Sequence, residues 1–315
     1  MRLPLAVRVL AWVSVGACIV VFARQLDWGQ VAGAFEGVNL GLAALATAIA
    51  VPCVALQGLR WSSLVKAVRR VPRSTPVAAI YVGQAASALL PMRAGEAVRT
   101  EMLARATGMG RATALGTVAL DHGVNGVVMF TFAALLPALL PVPGWAAAAA
   151  WTGMAGAIAL VLVLLWLARH PEQAPQGRIA RAVARVRSGL AAARDPRAVF
   201  EAALFSALAW GVEIVLTLVA LAAFHLPHDL PHAMGVLFGV NLALAIPSPP
   251  ASLGSFELGA GTALVAFGGD AGHAAAFAIG LHAIQLLPAL VMGGLMLAVL
   301  RKPAPAAPQG TPQEA

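Results

Sequence analysis

The chain is 315 residues long, 60% apolar and only 11% charged, with a mean hydropathy of +0.83. An ordinary soluble domain carries about 25% charged residues, and a globule of this size needs a polar skin that this composition does not supply. These figures exclude a soluble enzyme, a secreted disulfide scaffold and a disordered chain. Outer-membrane barrels alternate apolar and polar residues in ~10-residue strands, and that alternation is absent. An all-α polytopic membrane protein remains.

The net charge of +8 comes from 19 Arg and 2 Lys against 13 acids. In a soluble protein this excess would suggest nucleic acid. Here the basic residues lie between apolar runs, where they orient the spans by the positive-inside rule, so no nucleic-acid partner is expected. Cys18 and Cys53 both fall inside apolar runs and read as small hydrophobes.

The first apolar run, Leu5–Ala23, follows Arg2 and Arg8. It is long for a signal-peptide core and more spans follow, so it is predicted to be an uncleaved anchor. Leu40–Leu59 is a full span, since about 20 helical residues cross a ~30 Å bilayer core. Val77–Leu90 has only 14 residues, enough for about 21 Å of helix, and it ends in Pro91-Met92-Arg93-Ala94-Gly95-Glu96. Ala112–Leu136 and Ala146–Ala168 are the next spans. The polar stretch Pro171–Pro196 places Arg178, Arg181 and Arg185 on one side of a helix, which suits the anionic cytoplasmic leaflet. Ala198–Phe224 spans again. Ala233–Ile246 and Ser255–Gly268, both short, flank the break Pro247-Ser248-Pro249-Pro250-Ala251-Ser252-Leu253-Gly254, and Ala274–Leu300 is the last span. Residues 1–302 are read as one membrane domain and 303–315 as a disordered cytoplasmic tail.

The prediction is therefore about six transmembrane helices plus two re-entrant helical hairpins. Broken backbone at depth survives only where protein or a wet cavity covers it. With both termini in the cytoplasm, 20 of the 21 basic residues fall on cytoplasmic segments, and only Arg24 falls outside. The order span, hairpin, span then occurs twice with opposite orientation. Paired Pro/Gly-broken short segments of this kind mark inverted-repeat transporters and point to the binding site.

Charge inside a membrane is costly and marks function by default. Arg93, Glu96 and Arg99 lie three residues apart on the return leg of hairpin one, where the arginine forks could hold a lipid phosphate with Glu96 orienting them. An ion-paired cytoplasmic helix is the other reading, and Glu101/Arg105 fits that description. Asp121, with His122 and Asn125, lies deep in the third span and needs a partner, for which Arg93 and Arg99 are the candidates. Glu257 sits in the first turn of a helix that Ser252 and Ser255 can cap. It serves either the helix dipole or a headgroup amine or proton path. Glu213, Asn241, Gln84, His282 and Gln285 are lesser polar candidates, read first as contacts between helices. The run His225-Leu-Pro-His228-Asp229-Leu-Pro-His232 has two prolines that prevent one helix from aligning the imidazoles, so no metal is expected. No G-x-x-x-x-G-K-[ST], dinucleotide fingerprint or H-E-x-x-H occurs, so no cofactor and no ATP hydrolysis are expected.

The string Leu89-Leu90-Pro91-Met92-Arg93-Ala94-Gly95-Glu96-Ala97-Val98-Arg99 resembles the lysylphosphatidylglycerol synthase transmembrane (flippase-like) family. So do the Pro247–Glu257 break, the Arg60-Trp61 pair and Asp121-His122. This family comprises the membrane half of bacterial MprF proteins and their stand-alone relatives. The resemblance implies a bacterial inner-membrane protein that moves or handles lipids; translocation of a lipid or lipid-linked headgroup between leaflets is the activity expected, without ATP because no nucleotide motif occurs. Its partners would be membrane lipids, anionic or polyprenyl-phosphate-linked, with a homodimer among the open assemblies. These residues are not expected to include the soluble aminoacyl-transfer domain of MprF, so lysyl transfer is not implied. A secondary transporter of a small solute, an intramembrane lipid-modifying enzyme using Asp121, His122, Glu96 and Glu257, and a subunit positioning other envelope enzymes are the rival readings.

The topology has a direct test. In a chain freed of Cys18 and Cys53, single cysteines at Ser74 and Ser188 should react with an impermeant thiol reagent only from the cytoplasmic side, and one at His228 only from outside. Opposite-side labelling at positions 74 and 188 would overturn the six-span reading.

Overall fold

The computed structural model describes residues 28–90, 94–139, 144–169, 177–244 and 250–300. The predicted first span, the tip residue Arg93, the start of the Pro247–Gly254 break (residues 247–249) and the tail lie outside these. All regular structure among the described residues is helical. It comprises α1 (Trp28–Glu36), α2 (Leu40–Val68), α3 (Ser74–Leu89), α4 (Gly95–Thr107), α5 (Arg111–Leu139), α6 (Gly144–Arg169) and α7 (Gly177–Gly189), then α8 (Pro196–Ala223), α9 (Leu230–Leu244), α10 (Ser255–Ala266) and α11 (Ala271–Leu300). Short 3₁₀ turns, Leu190–Arg194 and Pro250–Ser252, precede α8 and α10. Five helices are long and apolar enough to cross a membrane: α2, α5, α6, α8 and α11. They match the second to sixth predicted spans, and the chain is an all-α polytopic membrane protein.

Side chains cap the ends that hydropathy left undefined. Asn39 accepts the Leu42 N–H at 3.1 Å, and Asp195 accepts those of Arg197 and Ala198 ahead of Pro196 in the first turn of α8. Asp229 and Asp270 each accept the backbone N–H and the ring nitrogen of a histidine three residues on, His232 and His273. For Asp229 the backbone N–H is the main cause that holds the carboxyl below its usual range, and for Asp270 it is the imidazole. Part of the histidine-rich run is thus a helix cap. Among the described residues no three His, Cys, Asp or Glu gather as a metal site.

α2 and α8 form the centre of the bundle. Ala46 and Ala50 share a core with Leu216 and Ala220, Cys53 meets Ala209 and Glu213, and Ser63 meets Glu201. Rising numbers on α2 therefore meet falling numbers on α8, so the two helices run antiparallel. One end of the pair packs against α9, α10 and α11, and at the other end α2 packs against α3, α4 and α5, with the end of α11 alongside. α6 packs on α5 from outside and exposes Trp151, Leu162 and Trp166, as a lipid-facing helix does.

α3 with α4, and α9 with α10, are two short-helix hairpins in corresponding places between long helices. Each is closed by glycine against glycine. Gly83 faces Gly95 in the first, and Gly239 faces Gly259 in the second. A Cβ built on Gly239 would sit 2.5 Å from the Gly259 carbonyl oxygen, and one on Gly259 would sit 2.6 Å from that of Gly239. In an apolar medium, where lipid competes equally well for apolar side chains, such close backbone approach is what holds helices together. The outer corner of α4 is tied to α5 by Glu101. It bridges Arg105 and Arg111, whose guanidinium groups hold its carboxyl down to about 2. This tie is present above the ordinary carboxylate range and loosens only as pH falls toward that value.

Gly259→Ala should splay hairpin two and lower stability by about 1–3 kcal/mol. Gly261→Ala on the same helix meets only a carbonyl oxygen 3.9 Å away and should cost far less. Equal melting losses for the two would contradict the close-packed hairpin.

Candidate functional site

α2 continues as helix well past Leu59, the end of its apolar run, and that extension carries Arg60 and Trp61 into the bundle. Arg60 is only 6% exposed and Trp61 is fully buried. Facing them on α5 is Asp121, also fully buried. Arg60 donates from Nε to Asp121 Oδ1 at 2.7 Å and from Nη2 to Oδ2 at 3.3 Å. Its Nη1 donates to Asn125 Oδ1 at 2.6 Å. Asp121 and Asn125, one turn apart on α5, thus act together on one guanidinium.

Arg99 of α4 approaches the same carboxylate from hairpin one. It donates from Nη1 to Asp121 Oδ2 at 3.2 Å and from Nε to Glu96 Oε2 at 2.7 Å, and its Nη2 lies 3.0 Å from His122 Nε2. Its guanidinium also sits 4.9 Å from the Trp61 ring, whose Nε1 donates to Thr117. Two arginines and two carboxylates, Asp121 and Glu96, balance to zero formal charge. Such a balanced, hydrogen-bonded cluster can survive at depth where an unpaired charge cannot. Of the candidates named from sequence, the structure brings Glu96, Arg99, Asp121 and Asn125 together. Arg93 lies outside the described residues. Arg60, which the hydropathy boundary places in the cytoplasmic loop, is the residue sequence reasoning missed. An arginine followed by tryptophan at the end of an apolar run was the available signal.

Beside this cluster a cavity of about 420 Å³ opens between the two hairpins. Hairpin one contributes Gln84, Ser87 and Glu96, and hairpin two contributes Asn241, Ser252 and Phe256. Arg60 and Asn125 form part of the wall, whereas Arg99 and Asp121 lie behind it. α8 adds Trp210 and Glu213, and α11 adds His282 and Gln285. Asn125 Oδ1 accepts from Arg60, Ser206 and Trp210, which fixes the orientation of its amide. Gln84 donates to Gln57 at 3.0 Å and so joins hairpin one to α2. The polar residues ranked as contacts between helices are therefore also the cavity lining.

Glu257 lies behind the wall of hairpin two. Its Oε2 accepts the Gly254 N–H at 2.7 Å, and its Oε1 lies 2.5 Å from His282 Nδ1 on α11. The His282 ring stacks on Phe256 with centroids 4.4 Å apart. The cap expected from Ser252 or Ser255 is made differently. Gly254, at φ +82°, precedes the helix, and Glu257 itself takes up the free N–H. The carboxylate thus caps α10 with one oxygen and ties hairpin two to α11 with the other.

Residues 7–293 match the family model described as the lysylphosphatidylglycerol synthase TM region. No curated protein matches the chain.

Removing one partner of a buried pair leaves the other charge uncompensated and costs about 3–5 kcal/mol. Asp121→Asn should therefore destabilise the protein by that order, since Arg60 and Arg99 then face each other across a neutral amide. Thermal melting in detergent or nanodiscs reads this directly. A loss no larger than that of Glu101→Gln, a partly exposed carboxylate at the outer corner of α4, would contradict it.

Proposed function

The chain belongs to the lysylphosphatidylglycerol synthase transmembrane family, and on that premise we propose that it moves a lipid headgroup between the leaflets of the bacterial inner membrane. The observation that supports this most is the polar cavity set between two glycine-closed hairpins inside an apolar bundle. A headgroup needs a path that replaces its hydration while its acyl chains stay in lipid. Carboxamides, hydroxyls and the wall face of Arg60 offer that replacement.

The antiparallel α2 and α8, each followed by a hairpin after further chain, fit an inverted pair of units. In this reading the hairpins are re-entrant and both termini are cytoplasmic. Rocking of one unit against the other exposes the cavity to each leaflet in turn. Arg99 and Asp121 hold hairpin one in register, and Arg60 presents its outer edge to the headgroup. Glu257 and His282 hold hairpin two against α11 and release it as the tip moves. No nucleotide motif is present, so the drive is a gradient or mass action.

A second reading is favoured by one observation, the Glu257–His282 couple. A carboxylate 2.5 Å from an imidazole beside a cavity is also the arrangement of an acid–base pair in a lipid-modifying enzyme.

Purified protein in liposomes carrying a headgroup-labelled phosphatidylglycerol should exchange the label between leaflets faster than protein-free liposomes, with the lipid mass unchanged. A new lipid mass would favour chemistry, and exchange at the protein-free rate for every lipid tested would contradict transport. Glu257→Gln keeps the cap to Gly254 but loses the charge facing His282. It should slow exchange by about tenfold, which corresponds to about 1.4 kcal/mol of barrier, with a smaller melting loss than Asp121→Asn because His282 can stay neutral. Unchanged exchange would remove Glu257 from the translocation machinery.

A further inference from the structure

Glu213 differs from every other carboxylate beside the cavity. It lies deep in α8 and on the cavity wall, facing α2 and α11. Asp121 has two arginines, Glu96 has Arg99 and His122, and Glu257 has His282. Among the described residues no ion pair reaches Glu213. Each of its oxygens instead receives one neutral donor, the Cys53 thiol at 2.8 Å on Oε2 and the Gln285 amide at 2.6 Å on Oε1.

The charged and titratable groups facing it from neighbouring elements are all committed elsewhere. On α2, Arg60 lies two turns from Cys53 and is held by Asp121 and Asn125. On α11, His282 lies one turn before Gln285 and is held by Glu257. α5 offers Asp121, which is already shared by two arginines, and α9 offers only the neutral Asn241. On α8 itself the nearest acid, Glu201, lies three turns away and pairs with Arg73 and Arg197.

An ionised carboxylate without a counter-ion is costly away from water, and such a group takes a proton instead. The two neutral partners suit that exchange. A glutamine amide presents either its oxygen or its nitrogen on rotation, and a thiol is both a weak donor and a weak acceptor. Both the protonated and the ionised carboxyl can therefore be satisfied without moving the helices. We propose that Glu213 is a proton-binding site that couples the transport cycle to a proton gradient, an inference that rests on the translocation reading above.

One proton is bound from the side to which the cavity is open and released to water on the other, and no other bond changes. When Glu213 is ionised it adds an unpaired negative charge to the cavity wall that Arg60 and His282 also line. These are the residues whose partners hold hairpin one, through Asp121, and hairpin two, through Glu257. Protonation removes that charge from beside both ties. The proton is thus linked to the two elements that must move.

Two measurements on the full chain test this. Infrared difference spectra of wild type against Glu213→Gln at neutral pH should contain a protonated-carboxyl band that is missing in the variant. Gln285→Met should shift the band by removing one hydrogen bond, which keeps the test usable where Glu213→Gln folds poorly. In liposomes carrying headgroup-labelled phosphatidylglycerol, an imposed pH gradient should accelerate wild-type exchange, and Glu213→Gln should exchange at a rate that ignores the gradient. An absent band overturns the proton site. Wild-type exchange that ignores the gradient overturns the coupling and leaves transport standing. No exchange in wild type under either condition overturns transport and the coupling with it.

Discussion

An ionised carboxylate buried in an apolar bundle must be met by charge and hydrogen bonds, or it is not tolerated. Asp121 is fully buried in α5, and its two oxygens draw Arg60 from α2 and Arg99 from α4 onto one point. Three elements distant in sequence are thereby fixed to each other: a central helix, a peripheral span and the first hairpin. Glu96 neutralises the second arginine, Trp61 covers its guanidinium and Asn125 fixes the first. Remove the carboxylate and two like charges are left facing each other without water. The position of hairpin one, and with it one wall of the cavity, follows from this single requirement.

Hairpin two is held by a smaller version of the same solution. Glu257 uses one oxygen for a helix start and the other for His282 on α11. The two attachments differ in strength. The first is a charge-balanced cluster of two arginines and two carboxylates with His122 alongside, while the second is one carboxylate and one imidazole. In an alternating cycle the weaker attachment is the one expected to open first, so hairpin two is the natural moving part. The reciprocal glycine contacts hold the two helices of each hairpin together as one unit.

Much of the fold was legible because hydropathy and length are direct consequences of the bilayer. The five described long helices follow the apolar runs, and the short runs broken by Pro and Gly are helical hairpins in corresponding places. Hydropathy misplaced ends rather than elements. Leu59 closes the apolar run of α2, but the helix continues to Val68, because Arg60 and Trp61 find partners that hydropathy does not register. Assigning Arg60 to the cytoplasmic charge excess was reasonable on spacing, and the packing places it at the cavity wall. The partner of Asp121 was half legible: Arg99 was named, and Arg60, 61 residues away in sequence, was not. Glu213, Gln84 and Gln285 were ranked low because a lone amide or acid in a span carries no spacing signal. Their convergence is a property of the tertiary fold alone.

The proposed occupant of the cavity between the hairpins is a lipid headgroup. Phosphatidylglycerol bearing a photoreactive group on its headgroup, incorporated in liposomes with the purified chain, tests this most directly by mapping covalent adducts to peptides. Adducts on the segments around Gln57, Gln84 and Gln285, reduced by Glu257→Gln, are the predicted result. Adducts confined to helix ends and the lipid-facing surface of α6, with the cavity wall unlabelled, would contradict the account.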